Sequence, residues 1–423
     1  MIGAQGVWLG TARVRLLTAA ALFTAGLPPV LDRDLSWLGS WKKALDQGTF
    51  SITTLGPVAA GIACVVYVRL RRSGVPDLLS QARRPWLGWL APALGVWALA
   101  SAAVLLICAL TTTAAWAAGA HTYPELFWVV PPALAVLGAE VSIGAMMGSR
   151  IGHYWAAPWA AVSVFTLFIL SSVGVVPGVF RTGGTSGSLS AETFAIHPIA
   201  AQAVAALGLG VAVMALSHWD LFRTSSTVHR GMCAVLVAAA IPALFRLHSD
   251  SDERYVSSSV EYECRDGQPT VCMLEETTRP LDDLAARMQR LAGPLVAAGV
   301  ALPARFVQKL PGDSNLDEGS VRLFADEELG ATVTDETAAR SLAQPADCPA
   351  YSSDSPEDLP EVVFTIDRVL THWILVQDGQ ASAPTEGGLA DWWALPAEDQ
   401  HPWVRTTYDA LSDCRLNALR LPQ

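Results

Sequence analysis

Through the first 247 residues the apolar positions fall into seven long runs, near 14–31, 52–69, 87–110, 126–147, 155–177, 198–217 and 231–247. A helix needs about 20 apolar residues to cross a bilayer core of about 30 Å, so each run predicts a membrane span, the seventh being the shortest. Tryptophan stands where interfacial anchors belong: Trp86, Trp116, Trp128, Trp155, Trp159 and Trp219 lie at or near span ends. After residue 248 the pattern changes. Residues 255–264 and 270–274 read as two strands around the turn Asp266-Gly267-Gln268-Pro269. Leu281, Leu284, Met288, Leu291 and Leu295 recur at helical spacing and predict a helix over 279–298. A second helix is expected at 359–377, with Asp367 and Arg368 in its middle arguing against an eighth span. Val404, Tyr408, Leu411 and Cys414 mark a last helix with Cys414 on its apolar face, and 344–360 reads as a loop. The expected fold class is a polytopic α-helical membrane bundle of about seven spans, residues 1–247, followed by an α+β domain, residues 248–423.

Charge supports the same division. Charged residues make up 16% of the chain and apolar residues 52%, against about 25% charged in a typical soluble domain. Residues 248–423 hold 31 of the 39 acids and 13 of the 28 bases, a net of −18, while residues 1–247 carry a net of +7. Such asymmetry marks two parts in two solvents. The acidic part argues against nucleic acid as a partner, because phosphate binding needs Lys and Arg.

Orientation follows from the bases in short loops. With a cytoplasmic N-terminus, the inner loops carry ten arginines (Arg13, Arg15, Arg69, Arg71, Arg72, Arg83, Arg84, Arg150, Arg223 and Arg230). The other side of the membrane half carries five bases (Arg33, Lys42, Lys43, Arg181 and Arg246). Seven spans then put 248–423 outside the cytoplasm of a bacterial cell membrane. The cysteines give an independent check. Cys64, Cys108 and Cys233 lie in spans, whereas Cys264, Cys272, Cys348 and Cys414 lie in the acidic part. Four cysteines outside the cytoplasm suggest two disulfides, and of three pairings Cys264–Cys272 with Cys348–Cys414 is favoured, the first across the 266–269 turn. The competing reading is four buried thiols in a cytoplasmic tail.

The largest inner loop runs Leu70-Arg71-Arg72-Ser73-Gly74-Val75-Pro76-Asp77-Leu78-Leu79-Ser80-Gln81-Ala82-Arg83-Arg84-Pro85-Trp86. Pro76 and Asp77 suit the first turn of a short helix, and Leu78 and Leu79 form an apolar pair between two arginine clusters. Such a helix can dock into a partner's groove or simply hold anionic headgroups. An arginine-flanked second span, this loop and a third span together resemble the permease subunits of bacterial ABC exporters, over roughly residues 10–220. The resemblance implies that Pro76, Asp77, Leu78 and Leu79 occupy the coupling-helix position that seats on a separate ATP-binding subunit. It also implies membrane lipid and a second permease subunit or homodimer as partners. The family typically has six spans and no large acidic tail, so this chain departs from it twice.

Glu140 is the one acid well inside a span, in Leu137-Gly138-Ala139-Glu140-Val141-Ser142, and Gly144-x-x-x-Gly148 follows it on a close-packing face. It reads as a gating or substrate-path acid, or as a carboxyl hydrogen-bonded between helices. Gln202 is a weaker candidate of the same kind. No nucleotide-binding loop, no H-E-x-x-H and no G-x-S-x-G occurs, so no catalytic residue, metal site or cofactor is expected. His248 with Asp250, Asp252 and Glu253 is read as a solvated acidic stem before a cation site, and the Gly183–Gly187 run as a flexible linker. The leading expectation is a permease-like, non-enzymatic export subunit. The alternative is a non-transporting sensor or scaffold.

Overall fold

The computed structural model describes residues 11–31, 36–73, 85–184, 189, 192–217, 227–249, 254–257, 261–275, 280–308, 320–323, 334–346, 348 and 361–422. Two compact units result: Met1–Ala117 with Thr122–Ser258, and Ala118–His121 with Ser259–Gln423.

The first unit is helical. Helix α1 (Ala12–Gly26) is followed by the single turn Pro28–Leu31. Helices α2 (Trp41–Phe50) and α3 (Ile52–Arg72) are separated only by Ser51, whose hydroxyl donates to the Gly48 carbonyl at 2.7 Å. Then come α4 (Pro85–Ala118), α5 (Val130–Ile151), α6 (Ala156–Ser172), α7 (Ile196–Ser217) and α8 (Thr227–Ser249). Among the described residues, six stretches are long and apolar enough to cross a membrane: Ala12–Leu31, Trp41–Arg72, Gly88–Ala118, Pro124–Ile151, Ile196–Ser217 and Arg230–Leu247. Helix α6 occupies the place of the fifth expected span and is also apolar, but its 17 residues reach only about 25 Å. Leu16 and Leu17 on α1, and Val235 and Phe245 on α8, are exposed. Side chains of this kind on long apolar helices mark a membrane protein.

Helix α5 is central. It packs along α3 on one side and α7 on the other; α7 carries α8, α6 lies against α3 and α5, and α1 leans on α3. Helix α5 ends because Gly152 adopts a left-handed conformation (φ +72°) and returns its N–H to the Gly148 carbonyl at 3.1 Å. The far end of the unit is closed by a two-stranded antiparallel sheet, β1 (Glu192–Phe194) with β2 (Tyr255–Ser257), Thr193 facing Val256.

That small sheet corrects one expectation. The run 255–264 is not one strand: Tyr255–Ser257 pairs with β1 in the helical unit, and only β3 (Tyr262–Arg265) meets β4 (Thr270–Leu274). The division between the two compact units falls after Ser258. Gly183 and Gly184 are not linker either. Both are left-handed (φ +45° and +78°) and pack on Asp46 and Phe50 of α2, where a β-carbon would overlap those atoms. Residues 185–187 lie outside the described residues.

The second unit is α+β. Strands β3 and β4 pair antiparallel with Cys264 opposite Cys272, and β4–β5 (Arg305–Gln308) and β5–β6 (Ser320–Leu323) pair parallel, in spatial order 3-4-5-6. Helix α9 (Leu281–Ala297) makes the crossover from β4 to β5 that a parallel pair requires. Its leucine face, Leu281 to Leu295, is buried against Val271 and Phe306, as its periodicity predicts. Helices α10 (Asp335–Ala343), α11 (Glu361–Gln377) and α12 (Ala397–Ser412) complete the core with Leu342, Trp373 and Tyr408. Helix α10 was not legible in the sequence. Thr334 caps it by accepting from Thr337 N at 3.2 Å, and Asp335 in its first turn takes hydrogen bonds from Arg287 (2.8 Å) and Arg290 (2.6 Å) of α9.

The two disulfides are Cys264–Cys272 and Cys348–Cys414, the second closing 66 positions of chain. Cys414 does not sit on the apolar face of α12. It follows the helix end, exposed, with φ +53°, while Cys348 is buried. The bridge is thus sheltered at one end only. Replacing Cys348 and Cys414 together by serine is expected to lower the stability of this unit by about 2–5 kcal/mol, seen as an earlier thermal midpoint of the full-length protein. Non-reducing peptide mapping should recover both pairs; four alkylatable thiols outside the apolar helices would overturn the pairing.

Candidate functional site

Glu140 stands at the head of a series spaced four residues apart on α5, Glu140, Gly144 and Gly148, that faces the matching series Gly56, Ala60 and Cys64 on α3. A β-carbon on Gly144 would overlap the Ala60 carbonyl, and one on Gly148 would overlap the Cys64 carbonyl. The two backbones therefore touch, as small-residue faces allow between membrane helices. At the first step of the series, Gly56 leaves the space that the Glu140 carboxyl fills. Glu140 is 1% exposed, and its Oε2 has no hydrogen-bond partner among the described residues. A buried polar atom without a partner is costly, and such acids inside membrane helices usually mark function. The carboxyl lies against the α3 backbone at Gly56, closely packed.

A second polar cluster lies at the sheet end of the same unit. Lys42 and Asp46, one turn apart on α2, are 5% and 1% exposed. Lys42 Nζ donates to the Glu192 carbonyl at 2.6 Å and lies 5.4 Å from the Tyr123 ring centroid. Tyr255 donates its phenol proton to Asp46 at 2.7 Å. Burial, with the Asp46 charge beside it, pushes the Tyr255 phenol up, so it remains a neutral donor at physiological pH. Next to it, Arg254 Nη1 donates to the Arg181 carbonyl at 2.9 Å and to Gln202 Oε1 at 3.3 Å. Gln202 Nε2 in turn donates to the Val179 carbonyl at 3.0 Å and the Arg181 carbonyl at 2.6 Å. The pair Arg254-Tyr255 is thus keyed into the helices by buried groups from α2 and α7. Sequence reasoning treated Lys42 as a loop base and passed over Asp46. The available signal was an opposite-charge pair at i,i+4 directly before an apolar run.

At the opposite end of the unit, arginines cap helix C-termini. Arg71 Nη1 donates to the Ser149 carbonyl at 2.8 Å and to the Arg150 carbonyl at 2.6 Å, and Arg72 Nε to the Gly152 carbonyl at 3.2 Å. Arg150 donates to the Leu216 carbonyl of α7. Last-turn carbonyls and the negative helix end both favour cations there. The candidate docking residues Pro76, Asp77, Leu78 and Leu79 lie outside the described residues, as does the acidic stem from Asp250 to Glu253.

The second unit holds charged clusters of structural type. Arg287 and Arg290 share Asp335, and Arg290 also pairs with Asp378. Burial raises the Asp367 carboxyl above its usual range, although Gln344 donates to it at 2.9 Å. His372 packs edge-on against Trp393, and His401 against Trp373. No group of three or more His, Cys, Asp or Glu with metal-binding geometry occurs among the described residues. Residues 271–414 match a family described as a domain of unknown function, DUF7224. No curated protein matches the chain, and no solved structure does.

Two outcomes follow for the first unit. Gly144→Leu should force α3 and α5 apart and cost about 1–3 kcal/mol or more, whereas Glu140→Gln keeps shape and should leave the thermal midpoint in detergent nearly unchanged. Tyr255→Phe removes the donor to Asp46 and is expected to cost about 1–3 kcal/mol. A midpoint equal to wild type would show that the Asp46 contact contributes nothing.

Proposed function

We propose that the chain is the membrane-embedded, permease-like subunit of an ABC-type export system, working with a separate ATP-binding subunit that docks on the loop around 75–82. The observation that carries this reading is the arginine clamp at the loop's upstream edge. Arg71 and Arg72, the last residues of α3, hold the terminal carbonyls of α5 through three hydrogen bonds. Below the clamp the two helices are in backbone contact. A push delivered to residues 74–84 would therefore move α3 and α5 as one body, Glu140 included. In this reading the arginine-rich end is cytoplasmic, the chain crosses the membrane seven times with α6 as the fifth crossing, and the disulfide-bonded unit is extracytoplasmic. The charge bias of the loops and two disulfides support that topology. A second permease subunit or a homodimer would complete the assembly.

One observation favours a sensor or scaffold instead. Arg254, buried on Gln202, and Tyr255, half-buried on Asp46, lie just ahead of the second unit in the chain, an arrangement suited to relaying an external binding event into the helices.

Changing Leu78 and Leu79 together to Asp should leave membrane insertion normal and remove a co-purifying ATPase. If no ATPase accompanies the wild type, or the doubly changed protein keeps it, the export reading fails and the sensor reading leads. For topology, a C-terminal alkaline phosphatase fusion should be active and a cytoplasm-only fluorescent fusion dark; the reverse would overturn the orientation.

A further inference from the structure

Four helices of the first unit, α4, α5, α7 and α8, enclose a half-open groove of about 500 Å³. Its walls include Trp97, Gly138, Leu207, Met214 and Met232, and they are almost wholly carbon. Two polar side chains on the α4 and α5 walls are engaged by backbone: Trp97 Nε1 donates to the Leu134 carbonyl at 2.9 Å, and the Ser142 hydroxyl to the Gly138 carbonyl at 2.8 Å. The groove therefore offers a polar solute no hydrogen-bond donor from these groups, and desolvating such a solute there would be unfavourable. It is sunk between helices, and its volume is about what a single turn of a helix of about 10 Å diameter would fill, too little to seat another helix. In a bilayer, the molecule at hand with the right chemistry and cross-section is a phospholipid acyl chain.

The charge at one end selects among lipids. Met214 and Met232 line the groove where α7 nears its end and α8 begins. Arg230, one turn before Cys233 of the groove wall, is exposed and has no ion-pair partner among the described residues. Arg150 sits on the Leu216 carbonyl, two residues beyond Met214. A basic site beside an apolar slot between membrane helices matches an anionic headgroup above its own chain. We propose that this groove is a binding site for one anionic phospholipid, with an acyl chain between α4, α5, α7 and α8 and its phosphate on Arg230, assisted by Arg150. The site requires only that these helices lie in a membrane, and it holds whether or not the chain takes part in transport.

The test uses full-length protein reconstituted in vesicles of phosphatidylcholine and phosphatidylglycerol, re-extracted in mild detergent and examined by native mass spectrometry. Wild type should retain one phospholipid, with phosphatidylglycerol enriched several-fold over the vesicle composition. Gly138→Phe should abolish retention, because a side chain there starts in ordinary contact with Trp97, 3.5 Å from its Nε1, and extends into the slot. Leu207→Trp, on the groove's exposed rim, is the second filling variant should the first fail to fold. Arg230→Ala should keep the bound lipid but remove the enrichment, and Arg15→Ala on α1 should change neither. Retention of no lipid by wild type, equal retention by a folded filling variant, or an enrichment untouched by Arg230→Ala would each overturn the proposal. So would a filling variant that turns a dimer into a monomer while lipid retention stays the same, because the groove would then be a subunit interface.

Discussion

Backbone contact between α3 and α5 is the constraint on which the helical unit depends. Lipid does not drive helices together as water does, so association relies on close van der Waals fit. Gly144 against the Ala60 carbonyl and Gly148 against the Cys64 carbonyl supply that fit. Once these axes are fixed, α7 can lie along the other side of α5, α6 can bridge α3 and α5, and the arginines after Leu70 arrive beside the last carbonyls of α5. The burial of Glu140 is a result of the same approach, because only a glycine at 56 leaves space for its carboxyl.

The second unit is held by different means. Its sheet has one antiparallel pair and two parallel ones, packed against α9, whose leucine face shares one core with Trp373 and Tyr408. One buried polar group there is fully connected: Gln400 accepts from Trp373 Nε1 at 2.7 Å and donates to the Trp392 and Leu395 carbonyls. Such a node fixes how α11 and α12 meet, which leucine-type contacts alone leave loosely specified.

The apolar runs were readable because twenty carbon-rich residues have few other fates, and α9 and α11 because their apolar spacing is regular. Both cysteine pairs were foreseen, the first from its turn and the second by elimination. What escaped was long-range. Residues 255–264 have strand character throughout, and nothing local says that Tyr255–Ser257 pairs with residues 192–194 while Tyr262–Arg265 pairs with 270–274. Asp46 could be noticed as the partner of Lys42 at i,i+4, but its contact with a tyrosine 209 positions away could not be read locally. Helix α10 was missed because its apolar face is mostly alanine, too weak a signal beside its acidic first turn. Glu140 was found because a lone acid in an apolar run is conspicuous, whereas its close fit against Gly56 depends on a neighbour that sequence does not name.

The hydrogen bond from Tyr255 to Asp46 also sets an order of assembly. Asp46 belongs to a helix made early on the ribosome, yet the phenol that covers it emerges only after the last helix of the unit has been synthesised. The same is true of Gln202, which receives Arg254 from beyond α8. Closing contacts so distant in sequence is slow compared with forming helices, so the helices can be inserted and packed before the sheet end is sealed. Until then Asp46 lacks its phenol partner. The unit is therefore completed in reverse, its early helix finished by its latest strand, and a chain interrupted before residue 254 would be inserted but left unlatched.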